Sequence, residues 1–103
     1  MNYGLNKTVI EKISDVFEAH PDIDEAIIYG SRAIGNYREG SDIDITLKGN
    51  ISFESLLGVE RKLDDLMLPY KFDISRYNTI KNNDLLSHIQ RVGKVFYKKL
   101  FYN

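Results

Sequence analysis

Two short stretches decide the fold of this chain: Tyr29-Gly30-Ser31-Arg32-Ala33-Ile34-Gly35 and Ser41-Asp42-Ile43-Asp44-Ile45. The first closes the isoleucine-rich segment 23–29, which predicts a strand that ends at a Gly-Ser turn, with room for a short helical turn after it. In the second, aspartate and isoleucine alternate, which predicts a strand over 42–47. Because side chains alternate along a strand, Asp42 and Asp44 would share one face and the isoleucines the other.

Helices and further strands are predicted on either side of this centre. They are helices over 8–19, 52–68 and 83–92, a strand over 70–77 and a short edge strand over 95–97. Ser52 suits an N-cap, and Pro69 marks a helix end. The order predicts an α/β (α+β) fold: a small mixed β-sheet of three to four strands with helices packed mainly on one face. The other face keeps three aspartates, Asp42, Asp44 and Asp73.

Length and composition limit the class of protein. With 103 residues, the chain is expected to form a single domain over 1–103. Its net charge of −1 predicts no general nucleic-acid-binding surface, and the absence of cysteine excludes disulfides, thiolate metal sites and cysteine nucleophiles. No apolar run approaches the ~20 residues of a membrane span, so we expect a cytoplasmic protein without membrane contact.

The three aspartates are candidate metal ligands. Two carboxylates on one strand face repel each other, and a divalent cation is the usual way to neutralise such a pair. Oxygen-only ligands suit Mg²⁺ or Mn²⁺ rather than Zn²⁺. If the strand of Asp73 lies beside Asp42 and Asp44, the carboxylates would converge as in a two-metal phosphoryl-transfer site. The alternative is a solvated acidic strand face that binds nothing.

Gly30 and Ser31 form a candidate phosphate-binding turn. Backbone N–H groups and a hydroxyl at the end of a strand can hold phosphate oxygens, and glycine allows a phosphate to approach the backbone closely. Ten residues, 32–41, separate Ser31 from Asp42, which is enough for the chain to return to a neighbouring strand. The alternative is an ordinary turn at a strand end.

Together these residues resemble the minimal nucleotidyltransferases, the smallest members of the DNA polymerase β-like superfamily. The family pattern is a hydrophobic residue, Gly-Ser, a spacer of about ten residues, Asp-hydrophobic-Asp and a third carboxylate on a later strand. Gly30, Ser31, Asp42 and Asp44 match it, and Asp73 fits the third position. The resemblance implies the nucleotidyltransferase fold over nearly the whole chain.

The resemblance also implies roles for these residues. Asp42, Asp44 and Asp73 would be catalytic and would ligate two Mg²⁺ ions, with Asp73 at the acceptor hydroxyl. Gly30 and Ser31 would hold the β- and γ-phosphates of the nucleotide.

Two nearby positions bear on triphosphate binding. Arg32 corresponds to a family arginine that contacts phosphate or a partner, and its alternative is an exposed, solvated side chain. Many relatives carry a second basic residue where this chain has Ile34.

Relatives of this kind imply a partner. They resemble the antitoxin of a toxin–antitoxin pair whose toxin is a small helical HEPN-domain ribonuclease, and they transfer AMP from ATP to a tyrosine hydroxyl of that toxin. We therefore expect an ATP-using, Mg²⁺-dependent nucleotidyltransferase, with a HEPN-domain protein or a second copy of the chain as partner. The alternative is a non-catalytic nucleotide-binding module that neutralises a helical partner by complex formation.

Two further features are assigned simpler roles. His88 has no carboxylate or cysteine at metal-ligand spacing, which favours a surface or packing role. The apolar C-terminal segment 98–103 is expected either to pack on the sheet or to form part of an interface.

Overall fold

The chain folds as a four-stranded sheet with helices on both faces. The computed structural model describes residues 2–100. Its helices are α1 (Lys7–Glu18), α2 (Ser31–Ile34), α3 (Phe53–Asp65) and α4 (Asn83–Val92), and its strands are β1 (Glu25–Tyr29), β2 (Ile43–Lys48), β3 (Phe72–Arg76) and β4 (Lys94–Lys98). A 3-10 turn at Tyr77–Thr79 follows β3.

Side chains cap the three long helices at their first turns. Asn6, Ser52 and Asn82 each accept a hydrogen bond from the backbone N–H three residues later. The cap at Ser52 is the predicted one. However, α3 ends at Asp65 rather than at residue 68, because the chain reverses at Met67, whose φ is 57°.

The strand order is β3-β2-β1-β4, in a mixed sheet. β1 is antiparallel to β2 and β4, whereas β2 and β3 are parallel and are connected through α3. The predicted mixed sheet of three to four strands is therefore confirmed, and so is the edge strand near residues 95–97. Residues 101–103 of the predicted apolar tail lie outside the described part of the chain.

The main core lies on one face of the sheet, under α1 and α3. Its fully buried members include Ile13 and Phe17 of α1, Val59 of α3, and Ile28 and Ile45 of the central strands. These residues follow the predicted helical and alternating periodicities, which confirms the helices on this face.

α4 packs on the other face of the sheet. Ile89 of α4 forms a second apolar cluster with Ile27 and Tyr29 of β1, the two strand residues that point away from the main core. The aspartates therefore share their face with a helix. Among residues 2–100, no helix is long and apolar enough to span a membrane.

Candidate active site

Three polar side chains lie in a row across the sheet. Asp44 of β2 is the register partner of Tyr29 on β1 and of Asp73 on β3, so the three side chains project from the same face. Asp42 lies two residues before Asp44, at the entrance to β2. Asp42 and Asp73 are exposed, whereas Asp44 is partly buried. The parallel pairing of β2 and β3 thus brings Asp73 to the predicted aspartate pair.

The electrostatics of this row disfavour negative charge. The pKa of Asp44 is raised from its usual 3.8 to about 6, first by burial and then by the charges of Asp73 and Asp42. The charged form of His88 would act in the opposite direction. Burial also raises the pKa of the Tyr29 hydroxyl, with further contributions from Asp73 and Asp44. A cation placed here would relieve the repulsion among these groups.

The chemistry of these side chains fits Mg²⁺, although they do not form a complete cage. Within residues 2–100, no three His, Cys, Asp or Glu side chains are grouped closely enough to hold a metal ion by themselves. Mg²⁺ commonly uses only one or two carboxylates and takes its remaining ligands from water and substrate phosphates. Asp42, Asp44 and Asp73 could hold it in that manner, and their assignment as metal ligands stays a prediction.

The Gly-Ser turn lies directly against Asp44. Gly30 has φ 75° and ψ −158°, a conformation that L side chains rarely adopt. A Cβ atom at Gly30 would collide with Oδ2 of Asp44. Glycine is therefore required at this position both by the backbone conformation and by the neighbouring carboxylate. The predicted proximity of the turn and the aspartates is present in the structure.

The structure contradicts one expectation for Arg32, that of an exposed side chain. Only 2% of this residue is exposed, so it is not a solvated surface arginine. Its guanidinium donates hydrogen bonds to the backbone carbonyls of Tyr3 (3.0 Å), Glu39 (3.3 Å) and Ser41 (2.9 and 3.1 Å). The side chain therefore holds the loop that leads into Asp42, and its assignment to phosphate binding stays a prediction.

Two aromatic rings flank the same guanidinium. Its central carbon lies 5.3 Å from the centre of the Tyr37 ring and 5.1 Å from that of Tyr70. The burial of Arg32 depends in part on residues 3 and 70, which are distant in sequence, so the local pattern alone does not indicate it.

His88 is the site residue that sequence reasoning missed. It is partly buried on α4, and its Nε2 accepts a hydrogen bond from the Gly30 N–H at 3.2 Å. Its ring also meets the ring of Tyr29 edge-on, with centroids 6.0 Å apart. His88 and Gly30 are 58 residues apart, and only the placement of α4 on the acidic face brings them together. The predicted surface or packing role is therefore incomplete.

The chain matches one family model and shares its fold with solved structures. The family model described as "Polymerase beta, Nucleotidyltransferase" matches residues 11–100. A search of curated protein sequences gives no match.

Solved structures share the fold over most of both chains. A chain of a toxin–antitoxin structure with AMP-PNP has a TM-score of 0.69 and 20% identity, covering 92% of this chain and 75% of that one. A chain of the structure of the tri-AMPylated Shewanella oneidensis HEPN toxin in complex with MNT antitoxin has a TM-score of 0.66 and 15% identity. The match covers 92% of this chain and 74% of that one. A chain of the MntA-HepT toxin–antitoxin structure has a TM-score of 0.65 and 15% identity, covering 91% of this chain and 74% of that one. At these identities the likeness shows a common fold. Because the family model matches residues 11–100 of a 103-residue chain, this protein belongs to the polymerase beta nucleotidyltransferase family.

Proposed function

We propose that this protein transfers AMP from ATP to a hydroxyl group of a partner protein in a Mg²⁺-dependent reaction. The observation that carries the proposal is the direct contact between the Gly30 turn and the Asp44 carboxylate, with Asp73 beside Asp44 on the parallel strand. A metal-bound triphosphate requires two features: a turn that can hold phosphate oxygens, and carboxylates that can hold a cation. Family membership supports nucleotidyl transfer as the reaction.

Each site residue has a role in this reaction. Asp42 and Asp44 would hold Mg²⁺, which when bound would neutralise the triphosphate and lower the pKa of the attacking hydroxyl. Gly30 and Ser31 would hold the β- and γ-phosphates. Asp73, at the exposed end of the row, would join them as a metal ligand beside the acceptor hydroxyl and take up its proton. The acceptor oxygen bonds to the α-phosphorus, the bond to the β-phosphate oxygen breaks, and pyrophosphate leaves.

The proposed partner is a small helical HEPN-domain protein, which the chain would inactivate as an antitoxin. The support is the shared fold with chains from toxin–antitoxin structures, one of which holds AMP-PNP and another an AMPylated HEPN toxin. Asp42 and Asp73 are exposed, so a large acceptor could reach them.

The test is the intact mass of such a partner, encoded beside this chain, after incubation with the purified chain, ATP and Mg²⁺. We expect the partner to gain whole AMP units. The variant Asp44→Asn should transfer AMP at least about 100-fold more slowly, because the charge that holds the cation is reduced. The matched control is Asp65→Asn at the end of α3, since α3 packs on the opposite face of the sheet.

Two outcomes would contradict the proposal. Transfer by Asp44→Asn at the wild-type rate would exclude Asp44 from the reaction. Neutralisation of the partner by a complex in which neither protein changes mass would instead favour the non-catalytic binding module.

A further inference from the structure

α4 brings one polar side chain to the Gly-Ser turn. The helix is anchored by Ile89, which packs on Ile27 and Tyr29. This anchor places the neighbouring His88 over the point where β1 ends and α2 begins. His88 therefore lies at the site although it belongs to none of the motifs that define it.

The hydrogen bond between Gly30 and His88 fixes an unusual piece of backbone. A backbone N–H can only donate, so Nε2 of His88 must present its lone pair to Gly30, at 3.2 Å. The N–H belongs to the Tyr29–Gly30 peptide, and its orientation, together with φ 75° and ψ −158° at Gly30, sets the direction of the following Ser31 amide. The Gly30 N–H is thus occupied by His88, so Gly30 would serve phosphate by its close backbone approach while the Ser31 amide and hydroxyl donate.

The second contact of His88 is with the ring of Tyr29, the residue directly before Gly30. The imidazole meets the Tyr29 ring at an interplanar angle of 82°, an edge-to-face arrangement. Tyr29 is also the register partner of Asp44, and Asp44 in turn lies against Gly30. His88, Tyr29, Gly30 and Asp44 therefore form a closed ring of contacts around the turn.

We propose that His88 is a positioning residue for the triphosphate, acting through the Gly30 amide to orient the Gly30–Ser31 turn against Asp44. This inference rests on the proposed function, because it requires a nucleoside triphosphate at the turn. The imidazole need not touch the nucleotide. Its contribution is to hold the turn in the binding conformation before the ligand arrives, which removes part of the ordering cost of binding.

The test compares three substitutions of His88. His88→Gln keeps a hydrogen-bond acceptor at about the reach of Nε2, whereas His88→Leu has similar bulk without an acceptor and His88→Asn is too short to reach Gly30. The readouts are the Gly30 amide resonance in ¹⁵N-labelled protein, calorimetric affinity for ATP in excess Mg²⁺, and the urea midpoint of unfolding.

We expect the Leu and Asn variants to bind ATP about tenfold more weakly, the effect of losing one hydrogen bond. Their Gly30 amide resonance should shift, and the Gln variant should restore both the resonance and an affinity within about threefold of wild type. If the Leu variant does not fold, the comparison of Asn with Gln decides.

The inference fails if wild type binds ATP and the Leu or Asn variant binds it equally well. It also fails if Gln is weakened as much as Leu and Asn, because His88 would then act by packing alone. Absence of ATP binding by wild type is a different result: it overturns the proposed function, and the inference falls with it.

Discussion

At the scale of single residues, Asp44 is the most constrained group in the site. It is partly buried, lies between two other carboxylates and touches the backbone of Gly30. Such a position costs the fold stability unless a cation or a proton neutralises the charge. The residues that suit the proposed chemistry are thus the ones that oppose folding of the free protein.

We therefore predict that Asp44→Asn stabilises the metal-free protein in a pH-dependent way. The pKa of Asp44 is about 6 in the folded protein against 3.8 ordinarily, so the folded state holds its proton more tightly. The loss of folding stability caused by the charge of Asp44 is therefore complete above about pH 6, and it disappears as the pH falls below about 4. Thermal unfolding should show a higher Tm for the variant at about pH 7.5, by ~4–8 °C for each kcal/mol of repulsion relieved, and little gain at about pH 4. Asp65→Asn is the control, and an equal gain at both pH values would refute the explanation.

Gly30 supports a second prediction at this scale. Gly30→Ala should destabilise the protein by about 2 kcal/mol or more, because alanine is strained at φ 75° and its Cβ would displace Asp44. The urea midpoint of unfolding measures the loss. Gly40→Ala serves as the control, since a Cβ there meets no atom within 4 Å and should change stability by less than about 0.5 kcal/mol. Equal midpoints for the two variants would show that the turn is not constrained.

At the scale of elements, Arg32 links the short helix α2 to two segments of chain that have no regular structure of their own. It joins α2 to Tyr3 and to the loop around Glu39 and Ser41, which leads directly into Asp42. Arg32, at the start of the connection between β1 and β2, thus orders the end of that same connection. This arrangement explains how ten residues between Ser31 and Asp42 can return to a fixed position.

Replacement of Arg32 by methionine should consequently loosen this loop. We expect Arg32→Met to lower the free energy of unfolding by about 2 kcal/mol, because hydrogen bonds from a charged donor are lost while the apolar volume is roughly kept. Amide hydrogen exchange should rise most over residues 37–42. Arg61→Met on the exposed surface of α3 is the control. Unchanged exchange in the loop would show that other contacts hold it.

The elements differ in how far sequence predicts them. Periodicity and capping are local, so α1, the start of α3 at Ser52 and the alternation in β2 could be predicted directly. The pairing of Asp44 with Asp73 depends on the crossover through α3. The sequence predicts that these aspartates converge only if their two strands are assumed to be neighbours. The burial of Arg32 depends on where the residues around Tyr3 pack, and the approach of His88 to Gly30 depends on the sheet face that α4 covers. No spacing within the chain encodes either placement.

At the scale of the whole molecule, the sheet separates two tasks between its faces. The face under α1 and α3 carries the larger apolar core, and the face under α4 carries the aspartates, the Gly-Ser turn and His88. A single domain over 1–103 stays a prediction. Because of this division, substitutions in the main core should alter stability alone, whereas substitutions on the face under α4 should alter both stability and the proposed ligand binding.

The strand order has a consequence for how the site is assembled during synthesis. β1 lies in the middle of the sheet, and one of its two neighbours, β4, is made from Lys94–Lys98, near the opposite end of the chain. A nascent chain that has exposed only β1 and β2 holds the Gly-Ser turn and two aspartates, but neither Asp73 nor the helix that bears His88. Contacts so distant in sequence form late and slowly. A ribosome-bound intermediate should therefore be unable to form the proposed nucleotide site in its final geometry until residues up to Lys98 have emerged.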